Sequence, residues 1–131
     1  PMVWTPVEKE LKDMTVALAT AAGVHQIDQE RFNLAGDFTW RKIDDKCPSD
    51  KLMVSHGGYD NSDVNKDINC MFPIDRLHEL AAEGFIKATA PYHAGFMGGG
   101  GNQEKFKHET GPAVAAMLKE EGVDAAILTA G

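Results

Sequence analysis

A chain of 131 residues makes about one domain, long enough for a single core and too short for two. With 43% hydrophobic and 25% charged residues it has ordinary globular composition, which excludes a disordered chain, and no apolar run approaches the roughly 18 residues of a membrane span. A net charge of −7, from 13 Lys and Arg against 20 Asp and Glu, repels a phosphate backbone and makes small molecules or proteins the expected partners rather than nucleic acid. The two cysteines, Cys47 and Cys70, have no CxxC or Cys/His finger spacing, so neither a disulfide framework nor structural zinc is expected, and a reducing cytoplasm fits them best.

The apolar run over residues 16–24, behind Lys9 and Lys12, superficially resembles a secretory leader. Glu8, Glu10 and Asp13 stand where such a leader would be basic, so the run reads as a strand over 15–20 and a tip over 21–25. Residues 28–50 carry little pattern, although alternation over 37–43 predicts a short edge strand. Further strands are predicted over 52–55, 85–90 and 124–129, each continuous in hydrophobicity, as strands covered on both faces of a parallel sheet are. Between them, residues 73–83 read as a helix with Ile74, Leu77, Leu80 and Ala81 on one face and Gly84 as its stop. Residues 111–121 repeat the plan, with Val114, Met117 and Leu118 inward and Gly122 as the stop; this helix can start as early as Asn102 or Gln103, with Pro112 kinking it. Strand, helix, strand twice over predicts an α/β fold, a three-layer sandwich with a mostly parallel, Rossmann-like sheet in a single domain.

Sites in open α/β sheets form beyond the carboxyl ends of the strands, so the predicted tips at His25, His56, Tyr59, His93 and Gly131 are expected on one edge. Residues 55–63 put His56, Tyr59, Asp60 and Asp63 within nine positions, a set suited to acid–base work. The same residues also suit a turn at Gly57 and Gly58 that Asp60, Asn61 and Asp63 cap and solvate. No HExxH-like spacing supports metal binding by His56, Asp60 and His93, and no metal is expected. The next tip carries Phe96, Met97 and Gly98 into four successive glycines, without GxGxxG and without the lysine of a P-loop. The candidate lining set is therefore His56, Tyr59, Asp60, Asp63, His93, Phe96, Met97 and Gly98.

Four blocks in order carry a resemblance: His56-Gly-Gly-Tyr-Asp-Asn, Asn69-Cys-Met-Phe-Pro-Ile-Asp-Arg-Leu-His-Glu-Leu-Ala-Ala-Glu-Gly, Gly95-Phe-Met-Gly and Glu121-Gly-Val-Asp-Ala-Ala-Ile-Leu-Thr-Ala-Gly131. Together, and from Val3-Trp-Thr-Pro onward, the chain resembles the selenoprotein B subunits of the glycine/sarcosine/betaine/D-proline reductases, most closely those acting on D-proline. The resemblance implies reductive cleavage of D-proline to 5-aminovalerate in a cytoplasmic oligomer. It implies a selenocysteine directly after Gly131 as the attacking group, a cysteine three positions later to resolve the adduct, a pyruvoyl-containing partner subunit as electron sink, and an electron-donor protein. It also implies that the chain is the amino-terminal part of a longer subunit. On that expectation the chain itself binds no cofactor, holds no catalytic nucleophile, is inactive alone, and exposes apolar surface around Ile127 and Leu128 that favours self-association. The alternatives are a reductase subunit for glycine, sarcosine or betaine, a non-catalytic small-molecule-binding module built on the 98–101 loop, and an assembly subunit.

Overall fold

Strand β1 (Thr15–Thr20) is the axis of the molecule, because its residues are buried on both faces and paired along both edges. A computed structural model describes residues 2–98 and 101–131. Along one edge β1 pairs in parallel with β7 (Ala125–Thr129), from Val16↔Ala125 to Thr20↔Thr129. Its other edge is shared by two parallel strands, β5 (Ala88–Thr89) at its start and β6 (Tyr92–Phe96) at its end. Outside β6 lies β3 (Trp40–Asp44), antiparallel. Helices cover both faces of this mixed, curled sheet. Val16 and Leu18 join Ile74 and Leu77 of α2 (Ile74–Ala82) and Val64 of α1 (Ser62–Lys66) in one core; Ala19 and Ala94 meet Val114 and Met117 of α4 (Gly111–Glu120) in the other.

The α/β layering follows the sequence pattern; the parallelism follows it only in part. Residues 52–55 do not enter the main sheet. Gly23, at φ +78°, turns the chain out of β1, and β2 (Val24–Gln26) then pairs antiparallel with β4 (Leu52–Val54) in a separate ribbon on the α2 face. Leu52 and Val54 look like core-strand residues because that ribbon is itself part of the core. The strand expected over 85–90 shrinks to two residues, with Phe85 exposed, while β6 occupies what reads as a loop tip. The break falls at Pro91: the Ala90 N–H still donates to the Val16 carbonyl of β1, the Pro91 carbonyl turns the other way to accept from the Asp45 N–H, and the strand resumes at Tyr92.

That break would leave the Leu18 amide of β1 facing a gap. The imidazole of His93 fills it, its Nδ1 accepting from the Leu18 N–H at 2.9 Å, deep in the core. An amide can only donate, so Nδ1 is the acceptor and the ring hydrogen sits on Nε2, which donates to Asp45 Oδ1 at 2.7 Å. Asp45 also accepts from His78 Nε2 at 2.9 Å and Thr89 Oγ1 at 2.8 Å, tying β3, α2 and β5 to the same point. His93 is thus a ladder substitute, not a residue of the strand tips. His25 is displaced from that role too: wholly buried, it lies between Ser55 Oγ at 2.8 Å and the Gln26 carbonyl at 2.7 Å, and burial chiefly lowers its pKa.

The last helical segment begins at Gln103, where the Asn102 side chain accepts from the Lys105 amide. It passes through a π turn over Phe106–Thr110, closed by the Gly111 N–H donating to the Phe106 carbonyl, so that the missing amide of Pro112 falls next to a ladder already widened.

Burial pushes the Asp45 carboxyl up, but hydrogen bonds from His93, His78 and Thr89 outweigh it and bring it from 3.8 down to about 2. A depressed carboxyl contributes its stability above the unfolded value and loses it as pH falls through the folded one, so the loss should fall between about pH 4 and pH 2. Urea unfolding across that range should lose about 2 kcal/mol that Asp45→Asn has already lost at neutral pH. Equal pH slopes for the two proteins would contradict the assignment.

Candidate functional site

Strand order fixes where a site can form. The chain leaves β1 and returns to its two opposite edges, as β6 on one side and β7 on the other. The carboxyl end of β1 is therefore the point where the winding reverses, and in open α/β sheets a crevice opens there. The segments that arrive at that edge are those that follow the three strands: Ala21–Gly23 after β1, Met97 and Gly98 after β6, and Ala130 and Gly131 after β7.

These tips are knitted together by backbone. Ala22 bridges to Met97, Gly98 N–H donates to the Ala21 carbonyl at 3.1 Å, and Ala21 N–H donates to the Thr129 carbonyl at 2.9 Å. A Cβ on Gly98 would stand 2.9 Å from the Ala21 Cβ, so this approach is open only to glycine. Two threonine hydroxyls, of Thr129 at 2.5 Å and Thr20 at 3.5 Å, donate to one carbonyl, that of Met71, which anchors the ends of β7 and β1 to the turn preceding α2.

Over this floor folds the 55–60 loop. The Tyr59 hydroxyl donates to the Ala22 carbonyl at 2.9 Å, its ring stacks at a tilt on His56 with centroids 5.0 Å apart, and the ring lies against Gly131. Burial raises the Tyr59 pKa, which keeps the phenol a hydrogen-bond donor. Gly58 N–H donates to His56 Nδ1 at 2.8 Å, which leaves the ring hydrogen on Nε2. Asn61 Nδ2 donates to the His56 carbonyl at 3.1 Å. The structure therefore brings His56, Tyr59 and Gly131 together at one edge.

The other residues of the predicted lining set divide. Asp60 is an exposed turn cap; a hydrogen bond from the Ser62 amide chiefly lowers its pKa. Asp63 lies in the first turn of α1 and pairs with Lys66 at 3.1 Å on the surface. His93 lies in the core, as described above. Phe96, Met97 and Gly98 line a separate cavity of about 100 Å³ with Asp37, Phe38 and Phe106, where the rings of Phe96 and Phe106 stand 5.1 Å apart. Of the four successive glycines, Gly99 and Gly100 lie outside the described residues. Among the described residues no group of three His, Cys, Asp or Glu is placed to hold a metal ion, and no helix is long and apolar enough to cross a membrane. Sequence reasoning passed over Thr20, Thr129 and Met71; a threonine closing each of two apolar strands was the available signal.

Residues 3–131 match the family model for glycine/sarcosine/betaine reductase selenoprotein B, and the chain belongs to that family. It is 70% identical over 131 residues to the D-proline reductase subunit gamma of Acetoanaerobium sticklandii, an alignment covering 100% of this chain and 54% of that protein. Identity is 35% to the glycine reductase complex component B subunit gamma of Carboxydothermus hydrogenoformans and 32% to the sarcosine reductase complex component B subunit beta of Peptoclostridium acidaminophilum, each over 95% of this chain and 29% of the relative. The chain thus spans about half the length, or less, of these curated relatives. No solved structure matches it.

Gly23 is a tight joint of the site: at φ +78° it stands where a Cβ would meet the Ser55 carbonyl group. Gly23→Ala should cost about 2–4 kcal/mol in chemical denaturation, through strain and clash together. A loss below about 1 kcal/mol would show that β1 and the 55–60 loop are not locked there.

Proposed function

We propose that this chain is part of a D-proline reductase subunit, acting in the reductive ring opening of D-proline to 5-aminovalerate, with the attacking group carried by the residue that follows Gly131 in the full subunit. The observation that carries this reading is the convergence of Gly131, Tyr59 and His56 at the reversal point of the sheet, in a chain with 70% identity to a D-proline reductase subunit. The relatives named for glycine and sarcosine reductases stand much further off, which favours D-proline over those substrates.

The donor set suits an anionic nucleophile at that edge. A selenolate supplies a soft, ionised attacking group, and a pyruvoyl group on a partner subunit supplies the electron sink that turns the ring nitrogen into a leaving group. This chain's residues supply position and polarity. His56 presents an Nε2–H donor, which favours an ionised selenium or sulfur beside it. Tyr59 covers one side of the exit from β7, and the two threonine bonds to Met71 hold β7 and β1 level. Asp60 caps the start of α1 that follows both rings, through the Ser62 amide. Further partners are an electron-donor protein and other copies of the subunit, and the free thiols of Cys47 and Cys70 support a cytoplasmic setting.

The test is 5-aminovalerate formation by the selenium-containing full-length subunit with its pyruvoyl partner, D-proline and a dithiol. Product is expected there, and His56→Ala should lower turnover by roughly 100- to 1,000-fold, the scale on which loss of a positioned donor acts. Absence of product with D-proline, alongside turnover of glycine, sarcosine or betaine, would reassign the substrate; absence with all four would overturn the reductase reading.

A further inference from the structure

Gly131 is exposed and follows β7, in which Ile127 and Leu128 are also exposed, a setting in which a glycine would ordinarily be the freest residue of the chain. Its surroundings contradict that freedom. A Cβ built on Gly131 would fall 2.6 Å from Tyr59 Cζ and 2.7 Å from Cδ1, closer than any side chain tolerates, so the ring occupies the space a side chain at 131 would need.

The ring has little room to yield. Its hydroxyl is tethered at 2.9 Å to the carbonyl of Ala22, a wholly buried residue fixed by its bridge to Met97. Behind it stands the His56 ring, pinned through Nδ1 by the Gly58 amide. The Gly131 side of the contact is equally constrained, because Thr129 holds both the Ala21 amide and the Met71 carbonyl. Two independently anchored elements, the 55–60 loop and the end of β7, thus meet through one contact between an aromatic ring and a glycine backbone.

We propose that Tyr59 is a positioning residue for the polypeptide leaving β7, with glycine required at 131 so that ring and backbone can touch. Its consequence for catalysis rests on the reductase reading above: the residue after Gly131 is held against the tip of β1 instead of swinging freely. A misplacement of about 1 Å at a reacting atom can cost about 100-fold in rate, so a contact of this kind matters to turnover without touching substrate. Tyr59→Phe keeps the ring and loses only the tether to Ala22, whereas Tyr59→Leu removes the ring.

Two measurements keep the contact and the function apart. In the 131-residue chain with labelled glycine, a ring lying on Gly131 displaces its Hα resonances upfield by NMR; the displacement should persist in Tyr59→Phe and vanish in Tyr59→Leu. Should Tyr59→Leu fail to fold, Gly131→Ala replaces it, with displaced Tyr59 ring resonances as the expected result. In the full-length subunit with its partner, Tyr59→Leu should lower kcat roughly 10- to 100-fold with little change in the KM for D-proline, and Tyr59→Phe should restore most of the loss. A Gly131 resonance at the position of an unstructured glycine, unmoved Tyr59 rings in Gly131→Ala, or undiminished kcat in a folded Tyr59→Leu would overturn the proposal. Wild-type protein that makes no 5-aminovalerate yet shows the displaced Gly131 signals would refute the reductase reading and leave the contact standing.

Discussion

The hydrogen bond from the Leu18 amide to His93 is the constraint around which the sheet is arranged. A buried amide without a partner costs about 1–3 kcal/mol, and β1, enclosed on both faces, has no water to supply one. The break between β5 and β6 at position 91 leaves the gap, and the imidazole two residues later closes it. Because the ring then needs a partner for Nε2, Asp45 must sit at the end of β3, and that carboxylate in turn gathers His78 from α2 and Thr89 from β5. One interruption in a strand thereby sets the places of four elements.

The same interruption separates β6 from β5, and β6 then carries Met97 and Gly98 alongside the end of β1. With β7 on the opposite edge, three strand ends arrive together, and the winding reverses between β6 and β7 at the edge where open α/β sheets place their sites. The stability of the center and the geometry of the edge are linked through β1: Leu18 is secured by His93, and two residues on, Thr20 shares the Met71 carbonyl with Thr129. His56 and Tyr59 lie over a floor already fixed by backbone bonds.

Much of this was legible in the residues. The strand over Thr15–Thr20 and the one near the end of the chain stand out by continuous hydrophobicity, and both helices by their apolar faces and terminal glycines at Gly84 and Gly122. What misled was local. Leu52 and Val54 bury their side chains, as central-strand residues do, but in a two-stranded ribbon, and hydrophobicity does not distinguish one burial from the other. Tyr92–Phe96 hides as a loop because Pro91 precedes it and His93 and Gly95 interrupt its apolar pattern, although both are buried. His93 therefore looked like chemistry when its work is structural. Conversely, Tyr59 and His56 stand out by composition near a strand end, but the contact of Tyr59 with Gly131 joins residues 72 positions apart and is visible only in three dimensions.

The shared edge at the ends of β1 and β7 is tested most directly by locating selenium. Anomalous scattering from crystals of the selenium-containing full-length subunit, its methionines left as sulfur, gives the position of that atom without interpretation of the chain. A single peak within about two strand spacings, roughly 10 Å, of His56 and on the same side of the sheet as Tyr59 is expected. A peak at the amino-terminal edge of the sheet, or well beyond that distance from both rings, would contradict a site built on these residues.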